Sequence, residues 1–86
     1  MMLEPYTQVI YVPMHAEGDV EHPDCEAGFV TSVRGGTAWC RYWSKHHPDE
    51  LRTKANSEAT PVDSLIVKDT RPQSEVKRAL ASLPRW

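Results

Sequence analysis

The sequence lacks any long hydrophobic run, since none of its apolar stretches approaches the roughly 18–20 residues that a membrane span requires. Its first five residues, Met1 to Pro5, contain neither the basic segment nor the apolar segment of a secretory signal. We therefore expect a cytoplasmic protein without a membrane partner.

Cysteine is scarce, and the two present are Cys25 and Cys40. In a chain without a secretory signal, such a pair is expected to remain as free thiols rather than to form a disulfide. The chain also lacks a glycine-rich phosphate loop and a nucleophile elbow, and its 86 residues make one domain with a core too small to enclose a deep pocket. We therefore expect a single domain over residues 1–86 that is not an enzyme.

Positive charge is absent from the first 33 residues, which contain six acidic residues and no Lys or Arg. Residues 34–86 contain all ten Lys and Arg against six acidic residues, and the net charge of the whole chain is −2. Two outcomes stay open at this point. The folded surface is polarised, which favours a charged partner or self-association, or the fold brings the two halves together and they neutralise each other.

What the sequence does contain is a series of short β-type runs. Gly28–Val33 and Thr37–Trp43 flank Gly35 and Gly36, and a Gly-Gly pair between such runs predicts a hairpin. Thr7–Val12 predicts a further strand, and residues 59–67 predict a strand, a turn and an apolar closing segment. Residues 14–26 and 44–49 are predicted loops. About five short strands with tight turns indicate a small, strongly bent barrel over residues 7–67.

The C-terminal part carries a helical pattern. Thr70 and Gln73 have the spacing of a capping box, and Pro72 suits a first helical turn. An apolar stripe follows at helical spacing and ends before Pro84. We predict a helix over about residues 71–83, packed on a mainly β fold. The predicted core residues are Val9, Tyr11, Val30, Val33, Cys40, Tyr42, Val62 and Leu65.

Several of these residues form a pattern that resembles the SH3-like (Tudor-like) small barrels. It comprises Gly18-Asp19, Glu26-x-Gly28-x-Val30, the hairpin, the aromatic third strand, and Pro61-Val62-Asp63-x-Leu65. The strings VPMHAEGD and HPDCExG, in residues 12–28, also resemble short accessory proteins of tailed phages and prophages. The resemblance covers about residues 10–67 and implies a five-stranded SH3-like barrel, but no assigned activity comes with it.

The third predicted strand carries the candidate binding surface. Strand side chains alternate, so Trp39, Arg41 and Trp43 share one face, and the Arg is expected to point to solvent. Trp and Arg are enriched at binding hot spots. Together with Arg34 and Lys45, these residues predict a non-enzymatic module that binds a host or phage protein, with homodimerisation through the same surface as a variant. The opposing interpretation, that at least one tryptophan lies under the C-terminal helix, stays open.

Nucleic-acid binding is the alternative function. The basic residues of the segment 34–54, with Trp39 and Trp43 between them, have the composition of a stacking platform in a positive groove. The acidic net charge of the chain opposes phosphate binding. The basic residues concerned are Arg34, Arg41, Lys45, Arg52 and Lys54.

Metal-ligand types occur without a complete motif. His22-x-x-Cys25 has knuckle-like spacing, and His15 and Cys40 are further ligand types. A second knuckle is missing, and Cys40 falls on the inward face of its strand. We therefore predict no metal and no cofactor, with His22 and Cys25 as weak metal candidates.

Overall fold

The computed structural model describes residues 3–53 and 56–83. Five antiparallel strands form one sheet in the order β4-β3-β2-β1-β5, and one α-helix follows them in the described residues. No helix in this part of the chain is long and apolar enough to cross a membrane. The predicted mainly β fold with five strands and a C-terminal helix is confirmed. The elements are β1 (Gln8–Tyr11), β2 (Glu26–Arg34), β3 (Thr37–Tyr42), β4 (Glu58–Pro61), β5 (Leu65–Val67) and α1 (Gln73–Ala81), with 3₁₀ turns at Met14–Ala16 and Val62–Ser64.

The predicted hairpin joins β2 to β3. Arg34 pairs with Thr37, so Gly35 and Gly36 form the turn between them. Gly35 has a φ of 60°, a conformation that glycine adopts without a Cβ clash. The pairing register shifts between Val30 and Ser32, which marks a bulge. Such a bulge bends the long strand locally and increases its twist.

The inner face of the sheet carries the main core, formed by Val9, Val30, Ala38, Cys40, Tyr42 and Leu65. Tyr11 and Val62, both predicted core residues, are partly buried against it. The prediction for Val33 is wrong, because its side chain is 38% exposed. Val33 lies beside the hairpin turn in a run of exposed residues from 32 to 36, although its pair partner Ala38 is buried.

A second apolar cluster lies between the sheet and α1. Phe29, Trp43, Leu51 and Val76 are all buried there, and the centroids of the Phe29 and Trp43 rings lie 5.9 Å apart. The helix contributes the apolar stripe that its sequence spacing predicts, with Ala79, Leu80 and Leu83 partly buried around Val76. The helix therefore covers one part of the sheet face opposite the main core.

The start of the helix differs from the prediction. Its N-cap is Pro72, with no side-chain cap, so the predicted capping box between Thr70 and Gln73 does not form. The backbone N–H and the hydroxyl of Thr70 donate instead to Oε1 of Gln8, at 3.2 and 3.3 Å. The Gln8 side chain, which is buried, also accepts from Arg71 N at 3.0 Å and donates to Arg71 O at 2.5 Å. One glutamine of β1 thus holds the segment that leads into α1. The predicted terminator, Pro84, lies outside the described residues.

Candidate functional site

Trp43 lies in the protein interior. It is only 6% exposed, and the guanidinium carbon of Arg71 lies 3.9 Å from the centroid of its ring. The expectation that Trp43 is exposed is therefore wrong, because α1 docks on this end of the sheet face. The opposing interpretation, that at least one tryptophan lies under the helix, is confirmed.

A cleft lined by described residues lies along this helix and has a volume of about 390 Å³. Guanidinium and carboxylate groups both line it, and Arg71 and Glu75 pair at 3.5 Å. Because the two signs of charge are balanced, the cleft presents no single-sign surface to an ionic ligand. Its lining residues are Trp43, Asp49, Arg71, Glu75, Arg78, Ala79 and Ser82.

Arg41 is half-buried and bonded within the protein. Its Nη1 donates to the backbone carbonyl of Thr53 at 2.6 Å, and the hydroxyl of Thr53 accepts from the backbone N–H of Tyr42 at 3.0 Å. Arg41 therefore ties the segment after β3 to the sheet. The expectation that its guanidinium points freely into solvent is wrong, because Thr53 lies within its reach.

Trp39 occupies a different environment from Trp43. It pairs across the sheet with Ser32 on β2 and with Ala59 on β4, and its side chain is partly exposed. Together with Ser32, Val33 and Arg34, it lines a shallow groove of about 300 Å³. Arg34 is exposed. The structure thus brings together two of the five predicted partner-binding residues, Trp39 and Arg34.

Lys45 contacts the loop before β2 instead of lining that groove. Its ammonium group donates to the backbone carbonyl of Pro23. The pKa of the nearby Asp24 lies below its ordinary value, chiefly because His15 hydrogen-bonds the carboxylate, with a smaller contribution from the charge of Lys45. Lys45 is exposed but belongs to a separate part of the surface.

Arg52 joins the acidic and basic parts of the chain. Its Nε donates to Glu26 at 2.8 Å, and its two terminal nitrogens donate to the carboxylate of Glu58 at 2.7 and 3.0 Å. These bonds raise the pKa of Arg52 and lower that of Glu58. The guanidinium also lies 5.7 Å from the centroid of the Tyr42 ring. Neutralisation between the two charge blocks therefore occurs at this point.

Several residues of the predicted stacking platform for nucleic acid are buried or bonded to other residues of the protein. Trp43 lies under α1, Arg41 bonds Thr53, and Arg52 pairs with two carboxylates. Lys54 lies outside the described residues.

Both cysteines are free thiols, as expected. Cys40 is fully buried in the main core, and burial raises the pKa of its thiol, which disfavours the reactive thiolate. The Cys25 thiol donates to the backbone carbonyl of Asp19 at 3.2 Å. Cys25 does not belong to the group of potential metal ligands that gathers around His22 in the described residues.

His22 instead meets His15 and Asp24. The potential ligand atoms of these three residues all lie within 4.8 Å of one another. Sequence spacing did not reveal this group, because its members follow no metal-binding motif and come together only through the folding of the loop over residues 13–25. This loop cluster is separate from the Trp39 groove.

Comparison with protein-family models, with curated proteins and with solved structures finds no match to this chain. What the protein does must therefore be inferred from its own geometry.

Proposed function

We propose that this protein is a small, non-enzymatic module that binds a protein partner through the hairpin patch, defined as Ser32, Val33, Arg34 and Trp39. The observation that carries the proposal is the contrast between the two tryptophans of one sheet face. Trp43 is buried among Phe29, Leu51 and Val76, whereas Trp39 is partly exposed in a shallow groove.

The chemistry of the patch favours a particular kind of partner segment. The indole of Trp39 and the 38% exposed Val33 offer apolar contact area. The exposed Arg34 offers a guanidinium that binds a carboxylate in bidentate geometry. A protein segment with an apolar side chain next to an acidic one matches this patch. Trp and Arg in such a setting are the residue types that dominate measured binding energies.

The resemblance of residues 12–28 to phage and prophage accessory proteins supports a more specific form of the proposal. In that form, the module acts in the cytoplasm of a bacterial cell and its partner is a host or phage protein. The SH3-like resemblance concerns the fold alone, because small barrels of this kind host many unrelated functions.

Protein binding is favoured over nucleic-acid binding by the way the basic residues are used. Arg41 and Arg52 hydrogen-bond other residues of this chain, and α1 covers one of the two stacking rings. The chain as a whole carries a net charge of −2, which opposes a phosphate backbone.

A capture experiment with matched variants tests the proposal. Wild-type protein, Trp39→Ala, Arg34→Ala and the control Met14→Ala are immobilised and exposed to a bacterial host lysate. Met14 is a suitable control because it is 93% exposed, apolar and outside the hairpin patch. We expect a protein that is enriched by the wild type and by Met14→Ala but lost with both hairpin-patch variants.

Affinity measurements with that purified partner then show how much each substitution weakens binding. We expect Trp39→Ala to weaken binding by at least about 30-fold, the effect of losing a hot spot of about 2 kcal/mol. If the partner is a second copy of the chain, Trp39→Ala shifts the wild-type dimer to monomer in sedimentation experiments. Equal capture and equal affinity with all four proteins would show that the hairpin patch is not the binding surface.

A further inference from the structure

We propose that His15, His22 and Asp24 form a binding site for a divalent transition-metal ion, with Zn²⁺ as the expected ion. Their potential ligand atoms lie within 4.8 Å of one another. His15 Nε2 and Asp24 Oδ2 are 2.7 Å apart, and the centroids of the two imidazole rings are 5.2 Å apart. One ion therefore contacts all three side chains after only small side-chain movements.

The backbone of the loop holds the three residues in place. The segment 13–25 folds as a succession of tight turns closed by five backbone hydrogen bonds of 3.0–3.2 Å, each from a residue to the one three positions before it. Asp19 adds two bonds, accepting from the Cys25 thiol at 3.2 Å and, through its carboxylate, from Glu21 N at 3.0 Å. A loop fixed in this way loses little conformational freedom when an ion binds.

The charge around the site favours a cation. Residues 13–26 contain five acidic residues and no Lys or Arg. Lys45 is the opposing charge nearby, and its ammonium group is held at the Pro23 carbonyl. The site lies in the acidic first part of the chain, and the negative charge of this part attracts a metal cation.

The donor set selects the type of ion. Two imidazoles and one carboxylate suit Zn²⁺, Ni²⁺ or Cu²⁺, whereas Ca²⁺ and Mg²⁺ require oxygen ligands throughout. Three protein ligands leave a fourth position of tetrahedral zinc open to water. Binding replaces the bond between His15 and Asp24 and the bond from Asp24 N to His22 Nδ1, which is 3.0 Å long. Because these bonds are given up and the His15 and Asp24 side chains are each 61% exposed, we expect moderate affinity.

Titration calorimetry with ZnCl₂ on the full chain tests the proposal, with Co²⁺ absorption as a second readout of coordination. The variants are His15→Ala, His22→Ala and Asp24→Asn. The chain offers a matched control in His46→Ala and His47→Ala, since both residues are exposed and outside the loop cluster. We expect one Zn²⁺ per chain and a loss of affinity beyond about 100-fold for each cluster variant, because loss of an outer-shell partner alone costs about 10–100-fold.

The controls are expected to stay within about twofold of the wild type, as for an ordinary surface substitution. Affinity should also fall on acidification, because imidazole binds metal in its neutral form. Absence of saturable Zn²⁺ binding, or binding by the His15→Ala/His22→Ala double variant at wild-type affinity, would overturn the proposal. Circular dichroism of each variant checks that the fold is retained. His15→Gln is measured in place of any variant that unfolds. Trp39→Ala should bind Zn²⁺ normally, so this test stands apart from that of the hairpin patch.

Discussion

At the scale of single residues, Gly28 is the position where the sheet leaves no room for a side chain. It pairs with Val9 on one side and with Tyr42 on the other. A Cβ at this position would lie 2.2 Å from the backbone oxygen of Arg41 and 2.8 Å from Cδ1 of Tyr42. Because the first of these atoms belongs to the backbone, it cannot move aside without disturbing the pairing of β2 and β3.

We therefore expect Gly28→Ala to lower the free energy of unfolding by about 1–3 kcal/mol, the usual cost of overpacking. Gly36→Ala is the matched control, since a Cβ there meets no atom within 4 Å. Gly36→Ala should change the free energy of unfolding by no more than about 0.5 kcal/mol. Urea denaturation of the two variants and the wild type checks this, and equal stabilities for both variants would contradict the close approach at Gly28.

Residue-scale patterns in the sequence predicted part of this structure. Alternation along β3 places Ala38, Cys40 and Tyr42 on one face, and all three are buried. The same pattern did not predict the role of Gln8, because its bonds to Thr70 and Arg71 join residues 62 and 63 positions apart. Thr70 therefore bonds a side chain that is distant in the sequence instead of capping the helix, and no local pattern reveals such a bond.

At the scale of secondary-structure elements, the position of α1 decides the environment of each tryptophan. Alternation predicts that Trp39 and Trp43 share a face, but it does not predict which end of that face the helix covers. That choice depends on the connection between β5 and α1, which Gln8 holds against β1. The buried cluster around Val76 then lies over Trp43. For this reason the sequence predicted the helix and its apolar stripe but placed Trp43 wrongly on the exposed surface.

Arg52 links β2 to β4, and this link predicts a pH dependence. The pKa of Glu58 is lowered in the folded protein, so its contribution to stability is fully present above its ordinary value of 4.5 and is lost as the pH falls through the folded pKa. Glu58→Gln should therefore flatten the loss of stability below about pH 4.5. At neutral pH its cost should be within about 1 kcal/mol, as for an exposed ion pair.

Urea denaturation between pH 3 and pH 7 provides the measurement, with the exposed Glu17→Gln as the control. The control should retain the acid sensitivity of the wild type. If Glu58→Gln lost the same free energy of unfolding at low pH as the wild type, the pairing with Arg52 would contribute nothing to stability.

At the scale of the whole molecule, the division of charge along the chain is partly cancelled by the fold. Arg52 pairs with Glu26, and Lys45 lies close enough to Asp24 to lower its pKa. Of the two outcomes that the sequence left open, neutralisation is present at these two places. The chain still carries five acidic residues and no Lys or Arg over residues 13–26.

This charge arrangement predicts weak binding to nucleic acid. Titration with single-stranded and duplex oligonucleotides at low salt should give dissociation constants no tighter than the non-specific range, roughly 10⁻⁴–10⁻⁶ M. Sub-micromolar binding that weakens steeply with salt and is lost in Arg34→Ala would contradict this expectation. It would also make nucleic acid the partner of the hairpin patch.

The whole-molecule view also shows where prediction from the sequence stopped. Turn residues and short β-type runs located β1, β2, β3 and β4, because those signals are local, and β5 was predicted only as an apolar closing segment. The loop cluster was not predicted, since His15, His22 and Asp24 are seven and two positions apart and meet only through a succession of turns. Its members lacked the spacing of any metal motif.

The central claim is that Trp39, in β3, and Trp43, directly after it, have different roles. Trp43 packs in the protein core, and Trp39 binds the partner. The most direct measurement is the free energy of unfolding of Trp39→Ala and Trp43→Ala, two identical substitutions four positions apart. Trp43→Ala should lower it by about 3–5 kcal/mol, as expected for a buried tryptophan. Trp39→Ala should lower it by no more than about 1 kcal/mol. Equal losses for the two variants would contradict the account, because Trp39 would then be a structural residue as well.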